Sequence, residues 1–387
     1  MSENANPYDA THITVLEGWE AVRQRPGMYV GSTGERGLHQ AVFEVVGRAV
    51  NEVLAGRASS VDVTLTPDGG VRVADDGQGV PVEVTEDVDG ATDLEALLTR
   101  VYAGAEPADR NTAAVGLVGI GPSITNALSS RLTAEVRRDG ARWIQEYARG
   151  VAAAPPTAVG AASGSGTTIT FRPDSDIFET VECSFAVLAE RFRELAFLNR
   201  GLAISLTDAR PPGEPRSVRF LGGTRDFVAF LDASARTPVH PDVIAFAWEG
   251  LRMAGTAEVA MRWSTSHEEQ LRSFANSRPT PGGGTHMLGF RDGVAGAVHA
   301  YARKRQLLTA THPGLSADRV CEGLTAVVSV KLDHPSFEGA TRGVLGNAAV
   351  RTCFDETVRE RLGSWLEGHP EQAAAVVDRL TRDAGRS

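Results

Sequence analysis

Apolar residues recur at three- and four-residue spacing between Phe43 and Gly56. Val45, Val46, Ala49, Val50, Val53 and Leu54, with Val42 just before them, form a core-facing stripe. The pattern predicts a helix closed by Gly56 as its C′ residue. Glu44, Arg48 and Glu52 lie four apart, in one row on the other side. For this helix alone the row reads as a solvated face with two ion pairs. The later motifs, DDGQG and GLVGIG, raise the alternative that the row is one wall of a nucleotide site.

The pattern on either side predicts further elements. Residues 1–12 read as an extended arm. Residues 13–25 form a short amphipathic helix with Val15, Leu16, Trp19 and Val22 on one side, stopped by Pro26-Gly27. Strands over 61–65 and 71–74 flank the hairpin signal Asp68-Gly69-Gly70. The second strand runs into Asp75-Asp76-Gly77-Gln78-Gly79-Val80-Pro81. A helix over 94–102 and a polar, Ala-rich loop precede Val115-Gly116-Leu117-Val118-Gly119-Ile120-Gly121, which opens another helix. Strands follow at 132–137, 142–147 and 167–171, with a weak hairpin or loop over 151–166. A helix over 185–198 ends at Asn199-Arg200-Gly201. A strand and a turn-rich break at 210–217 close this half, an α+β layer with a mixed or antiparallel sheet. From about residue 220 a second domain is expected, with strands at 257–263, 271–275 and 326–332. Helices around 288–305 and 350–366 and a last helix fraying into a polar tail complete it. The expected bounds are 1–12 for the arm, 13–218 for the first domain and 219–387 for the second.

Composition narrows the function. The 387 residues are 42% hydrophobic, enough for two cored domains. A net charge of −10 argues against a broad nucleic-acid surface, although 39 basic residues leave room for a local patch. Nearly all are arginine, and lysine occurs only at Lys304 and Lys331. The opening residues are polar and no long apolar run follows, so a soluble, cytoplasmic chain without a membrane partner is expected. Cys183, Cys321 and Cys353 lie far apart with no CxxC. They suggest small buried hydrophobes, neither a disulfide framework nor a metal site.

Two segments carry candidate chemistry. A carboxylate at the end of a strand, such as Asp75, can accept a hydrogen bond from the exocyclic amine of adenine. Gly77 and Gly79 would let a ligand approach the backbone. The same DDG run also occurs in ordinary hairpins, so it decides little alone. Gly116, Gly119 and Gly121 are spaced G-x-x-G-x-G, unlike a dinucleotide fingerprint. A glycine-rich loop opening a helix can nevertheless offer backbone N–H groups to phosphates.

Order and spacing are more informative than either segment. The helix with Glu44, then DDGQGVP, GLVGIG before SITNALS, and SGTTITF together resemble the GHKL ATPase family. The segments YDATHITVLEGWEAVRQRPGMYVGST, FEVVGRAVNEVLAG, VADDGQGVP, LVGIGPSITNALS, RELAFLNRG, GGTHMLGFR and EGLTAVVSVKLDHPSFEGATR are similar to the ATPase region of the DNA gyrase B family. The resemblance covers about residues 8–370. It implies an α+β fold: a GHKL (Bergerat) ATP-binding sandwich of a mixed sheet and helices, followed by an α/β transducer domain of the ribosomal protein S5 domain 2-like type. It implies ATP as ligand, hydrolysis of the DNA-topoisomerase type, and a homodimer formed on nucleotide binding. It also implies a gyrase A-like subunit or DNA as partner. No toprim part is expected within this chain.

Carried over by position, the resemblance makes Glu44 the general base and Asp75 the adenine-reading acid, helped by a water and Thr167. Gly77, Gly79, Val80 and Pro81 surround the base. Gly116, Leu117, Val118, Gly119, Ile120 and Gly121 form the phosphate lid. Tyr8 is the arm residue that reaches the partner's nucleotide. Arg342 stands where the family has a lysine on the γ-phosphate.

The departures are informative too. Arg48 takes the place of the asparagine that holds Mg²⁺, and a guanidinium cannot ligate a metal. Gly47 and Asn51 replace acids, Gln78 replaces an arginine, and Ala340 replaces a glutamine. Ala105 (or Glu106) and Thr112 fill lid positions where lysines meet phosphates. Two geometries are expected for Arg48: pairing with Glu44, which weakens the base, or pointing at the phosphates in place of the metal. Either implies impaired hydrolysis. The alternative function is a non-hydrolysing nucleotide sensor or decoy paralogue that binds gyrase or a gyrase inhibitor.

Overall fold

The computed structural model describes residues 18–83, 91–103, 110–113, 115–116, 119–233, 237–308, 315–339 and 342–382. The predicted arm with Tyr8, the lid positions Ala105, Glu106, Leu117 and Val118, Ala340 and the C-terminal tail lie outside the described residues. Two sheets, each backed by helices, organise the rest.

The first sheet has nine strands: β1 (Ser60–Leu65), β2 (Val71–Asp75), β3 (Ser129–Arg138), β4 (Ala141–Ala148), β5 (Val151–Ala152), β6 (Thr157–Ala161), β7 (Gly166–Pro173), β8 (Ala203–Asp208) and β9 (Arg216–Phe220). The spatial order is β5-β4-β3-β7-β2-β1-β8-β9, with β6 also on β4. β1 and β8 pair in parallel and the other pairs are antiparallel. This is the mixed sheet that the sequence predicts, and the predicted weak hairpin over 151–166 is two short strands.

The Glu35–Leu54 helix crosses one face of this sheet. It starts eight residues before Phe43, and the pattern does not announce this extension because its first turns, ERGLHQ, carry only Leu38 as an apolar anchor. Its end matches the prediction: Ala55 caps it and Gly56 follows in the left-handed region at φ 71°. Pro26 stops the Gly18–Gln24 helix as expected, and it also opens a second one, Pro26–Val30. Proline is well placed there, since the first turn needs no N–H from it.

The second sheet contains β10 (Ile244–Gly250), β11 (Gly255–Trp263), β12 (Gln270–Ala275), β13 (Arg278–Pro279) and β14 (Leu324–Leu332), in the order β10-β11-β14-β12-β13. Helices Thr285–Lys304, Ala348–Gly368 and Pro370–Arg382 pack on it around Val294, Phe354, Leu362 and Val376. A smaller apolar cluster joins the two domains: Leu198 from the first packs with Phe227, Val228, Phe274 and Val327 of the second. The Phe197 and Phe227 rings stack at 5.1 Å.

The Thr285–Lys304 and Ala348–Gly368 helices approach most closely through glycine. A Cβ at Gly289 would lie 2.2 Å from the Arg351 carbonyl oxygen, and one at Gly293 2.8 Å from Val358 Cβ. Gly363 has nothing within 4 Å of its notional Cβ. Gly289→Ala is therefore expected to lower unfolding free energy by about 1–3 kcal/mol through overpacking. Gly363→Ala should raise it by roughly 0.4–1 kcal/mol by restricting the unfolded chain. Urea midpoints of the two variants check both signs.

Candidate functional site

The row Glu44, Arg48, Glu52 is not a solvated face of ion pairs. Glu44 is buried at 4% exposure, and each member turns to a different partner. Glu52 binds the Arg57 guanidinium at 2.9 and 3.0 Å. Glu44 accepts hydrogen bonds from the Gly119 amide at 3.3 Å and the Gly121 amide at 3.0 Å. Arg48 reaches across to β2 and β7.

Strand register builds the second half of the site. β2 and β7 run antiparallel with Asp75 directly opposite Thr167. Both are buried, at 3% and 1% exposure. Asp75 Oδ1 accepts from the Gly77 amide at 3.0 Å, and Thr167 Oγ1 from the Val80 amide at 3.1 Å. The Gly79 carbonyl accepts from Arg138 at 2.9 Å. Gly79 itself needs the left-handed region, at φ 79°. The two adjacent aspartates thus divide their work. Burial disfavours the Asp76 carboxylate, but hydrogen bonds from Ser59 and Ser60 outweigh it and hold its pKa at about 2. Asp76 therefore ties the turn to β1, and Asp75 faces the site.

Arg48 adopts neither expected geometry. Its Nη1 donates to Asp75 Oδ2, and its Nη2 donates to Thr167 Oγ1 at 3.3 Å. The guanidinium therefore bridges the two residues assigned to the base. The physical reason lies in what surrounds it. The Glu44 oxygens are occupied by lid amides, and a buried carboxylate such as Asp75 is costly unless a donor satisfies it. A planar fork from one helical turn away meets that need.

The glycine-rich lid closes directly on Glu44. A Cβ on Gly116 would fall 2.2 Å from Glu44 Oε1, so only glycine fits. Ile120 sends its side chain into the core, at 2% exposure, which leaves only its backbone to face a ligand. The helix that follows, Pro122–Ala127, is short. The described lid residues therefore act through the amides of Gly119 and Gly121 rather than through a long helix end. Pro81 stays half-buried beside the Val80 turn.

The second domain also reaches this lid, through residues the sequence reading missed. Arg278 donates to the Gly116 carbonyl at 2.8 Å. Arg110, before the lid, binds both oxygens of Asp333 at 2.6 Å and Glu249 at 2.6 Å. Arg191 donates to the Ser277 carbonyl at 2.9 Å and pairs with Glu194 at 3.1 Å. Arg342 lies exposed on its loop at φ 52°, within electrostatic range of Arg278. No strong sequence signal marks Arg278, because an arginine before proline after a strand reads as a turn.

The residues do not fit a protein-held Mg²⁺. Position 48 carries a cation engaged with Asp75, and the Asn51 side-chain oxygen accepts from the Ala113 amide at 2.9 Å. Among the described residues no group of three or more His, Cys, Asp or Glu side chains could hold a metal. Nor is any described helix long and apolar enough to cross a membrane.

Comparison with known proteins agrees with this architecture. Residues 33–177 match the family of histidine kinase-, DNA gyrase B- and HSP90-like ATPases, and residues 223–386 match the DNA gyrase B family. The gyrase B of Streptomyces coelicolor is 45% identical over 96% of this chain and 56% of its own length. That of Mycobacterium tuberculosis is 38% identical over 97% of this chain and 60% of its own length. The chain thus spans a little over half the length of these relatives. The 43K ATPase domain of Thermus thermophilus gyrase B, solved with an aminocoumarin, superposes with a TM-score of 0.79 at 33% identity, covering 96% of this chain and 97% of that domain. The gyrase B of Myxococcus xanthus gives a TM-score of 0.76 at 26% identity, covering 93% of this chain and 99% of that one. With a GHKL ATP-binding domain and a transducer domain joined as in these structures, the chain belongs to the DNA gyrase B family of ATPases.

Proposed function

We propose that this chain is an ATP-binding, gyrase-B-like ATPase module whose turnover is impaired by Arg48. The observation that carries the reading is the Arg48 bridge between Asp75 and Thr167. Adenine would be read by Asp75 and Thr167, with Gly77, Gly79, Val80 and Pro81 around it. The triphosphate would lie toward Glu44, the amides of Gly119 and Gly121, and Arg342. Tyr8, Leu117 and Val118 keep the roles that the resemblance gives them. Nucleotide binding would close a homodimer.

Both ends of this site are satisfied from within. Adenine offers Asp75 a neutral N–H in exchange for a charged guanidinium, and the exchange leaves Arg48 without its partner. Removing one partner of a buried pair costs about 3–5 kcal/mol unless something replaces it. Even a fraction of that lowers affinity tenfold for each ~1.4 kcal/mol. Glu44 is limited in a different way. A general base needs a lone pair aimed at the attacking water, and both its oxygens already accept lid amides. Two acceptor sites remain on the carboxylate, and the attacking water must be aimed at one of them before Glu44 can take its proton. The residues at the place of the family's Mg²⁺ ligand do not fit that ion.

A second reading has the same observation behind it. A chain that binds nucleotide weakly and does not turn it over would act as a sensor or decoy toward gyrase, a gyrase A-like subunit, DNA or a gyrase inhibitor. Steady-state phosphate release separates the two.

Arg48→Asn is expected to tighten binding of a non-hydrolysable ATP analogue about tenfold or more, read by isothermal titration. Unchanged or weaker binding contradicts the role given to Arg48. In the Arg48→Asn background phosphate release should rise above that of the native chain, and adding Glu44→Gln should then remove roughly 10²–10⁴ of it. If Arg48→Asn binds the analogue tightly yet releases no phosphate, the decoy reading gains and the ATPase reading fails.

A further inference from the structure

Two helices of different domains leave an open groove where they meet. On the Phe185–Leu198 helix, Ala186, Ala189, Glu190 and Arg193 follow at three- and four-residue spacing and so share one face. Phe227 and Phe230 share a face of the Thr224–Asp232 helix in the same way. Between these faces lies a cleft of about 450 Å³, which Phe185 and Arg272 also line. The alanine methyls leave this space unfilled. The surface here is apolar as well as open: Phe230 stays 45% exposed, and Val187 and Leu221, on the one helix and just before the other, are also exposed.

Arginines surround this apolar cleft, and two of them are held by their faces. The Arg193 guanidinium lies 4.4 Å from the centre of the Phe230 ring and 5.4 Å from that of Phe220. Arg216 lies 3.9 Å from the centre of the Phe185 ring. Stacking on a ring orients a guanidinium without using its N–H donors, which lie in its own plane. Among the described residues Arg193 and Arg272 pair with no carboxylate, and Arg216 reaches Asp208 only at 3.7 Å. The nearby acids are mostly engaged. Glu194 pairs with Arg191 at 3.1 Å, and Asp226 accepts from the Gly223 amide at 3.0 Å, which leaves Glu190 in the cleft. The groove thus offers oriented, unspent cationic donors beside an apolar space, in a chain whose net charge is −10.

We propose that this groove docks an acidic peptide segment of a partner protein. A large apolar side chain of the segment fills the space over Ala186 and Ala189 against Phe230. Carboxylates on either side of it take the donor edges of Arg193 and Arg272, with Arg216 at the Phe185 end. A carboxylate matches the guanidinium fork, and a buried apolar anchor carries most of the affinity in such contacts. A nucleic-acid strand fits less well. It brings a charge with every nucleotide past Glu190 to a chain of the same sign, and it has no side chain for the alanine-floored space. A second copy of this chain presents the same arginines, so like charge would face like. None of these residues belongs to the nucleotide site, and the inference stands without that reading.

The test is fluorescence anisotropy of the whole chain with a panel of labelled peptides, each carrying one Trp, Phe or Leu between runs of Asp and Glu. Saturable binding is expected, and replacing the apolar residue of the peptide by Ala should weaken it about tenfold or more. Arg193→Glu and Arg272→Glu should each weaken it by a similar factor. Arg272 is exposed, so its variant keeps the test decisive if Arg193→Glu misfolds. Arg193→Lys keeps the charge but not the stacked fork and should fall between the native chain and Arg193→Glu. Arg303→Glu makes the same change of net charge on the Thr285–Lys304 helix, which packs against the other face of the second sheet, and should leave affinity within about twofold. A panel with no saturable binding overturns the inference. So does an equal loss in Arg303→Glu, which would mean diffuse attraction, or an all-acidic peptide that binds as tightly as those with an apolar residue. An oligo-dT strand that binds more tightly than the peptides, with the same dependence on Arg272, also overturns it and assigns the groove to nucleic acid.

Discussion

A buried carboxylate must have a partner, and in this chain Asp75 takes its own. The β2–β7 register sets Asp75 opposite Thr167, and the Glu35–Leu54 helix brings the Arg48 guanidinium to both. That bridge depends on features built elsewhere: the register, the turn fixed by Asp76, and the packing that holds the helix against the sheet. It also sets the terms for any ligand. A nucleotide entering here competes with a covalently tethered cation that is always present at high effective concentration. In the proposed function, one side chain thus occupies the place that adenine would take.

The phosphate end has the same character. Glu44 is positioned by the helix and held by the amides of Gly119 and Gly121, which would otherwise face an anion. Arg278 and Arg110 tie the lid region to the second domain. Local changes at the nucleotide thus have a short mechanical route to the second sheet, through two arginines and the small apolar cluster around Phe227 and Phe274. Movement along that route needs two arrangements of the lid, and the glycines at 119 and 121, both at positive φ, supply the backbone freedom for it.

Much of this was legible in the residues, and the exceptions have physical causes. The long helix announced itself through its stripe, and the hairpin of β1 and β2 through Asp-Gly-Gly. The strand β10 did not, because Ala245 and Ala247 blur the alternation of Ile244, Phe246 and Trp248. Glu44 entered through the resemblance and Asp75 through its place at a strand end, and the structure buries both, one on the long helix and one at the end of β2. The direction of Arg48 was not legible: a row at four-residue spacing fixes a face of the helix, and the partner depends on a strand register that period-two patterning cannot specify. Arg278 was missed because its meaning comes entirely from the other domain, and no local pattern encodes a contact 162 residues away.

Arg48 and Asp75 hold each other, and the proposed competition with a nucleotide follows from that pair. The most direct measurement is a double-mutant cycle in unfolding free energy, using Arg48→Met, Asp75→Asn and the combination. A coupling of about 1 kcal/mol or more between the two sites is expected for a buried, bridged pair. Additivity within roughly 0.3–0.5 kcal/mol would contradict it.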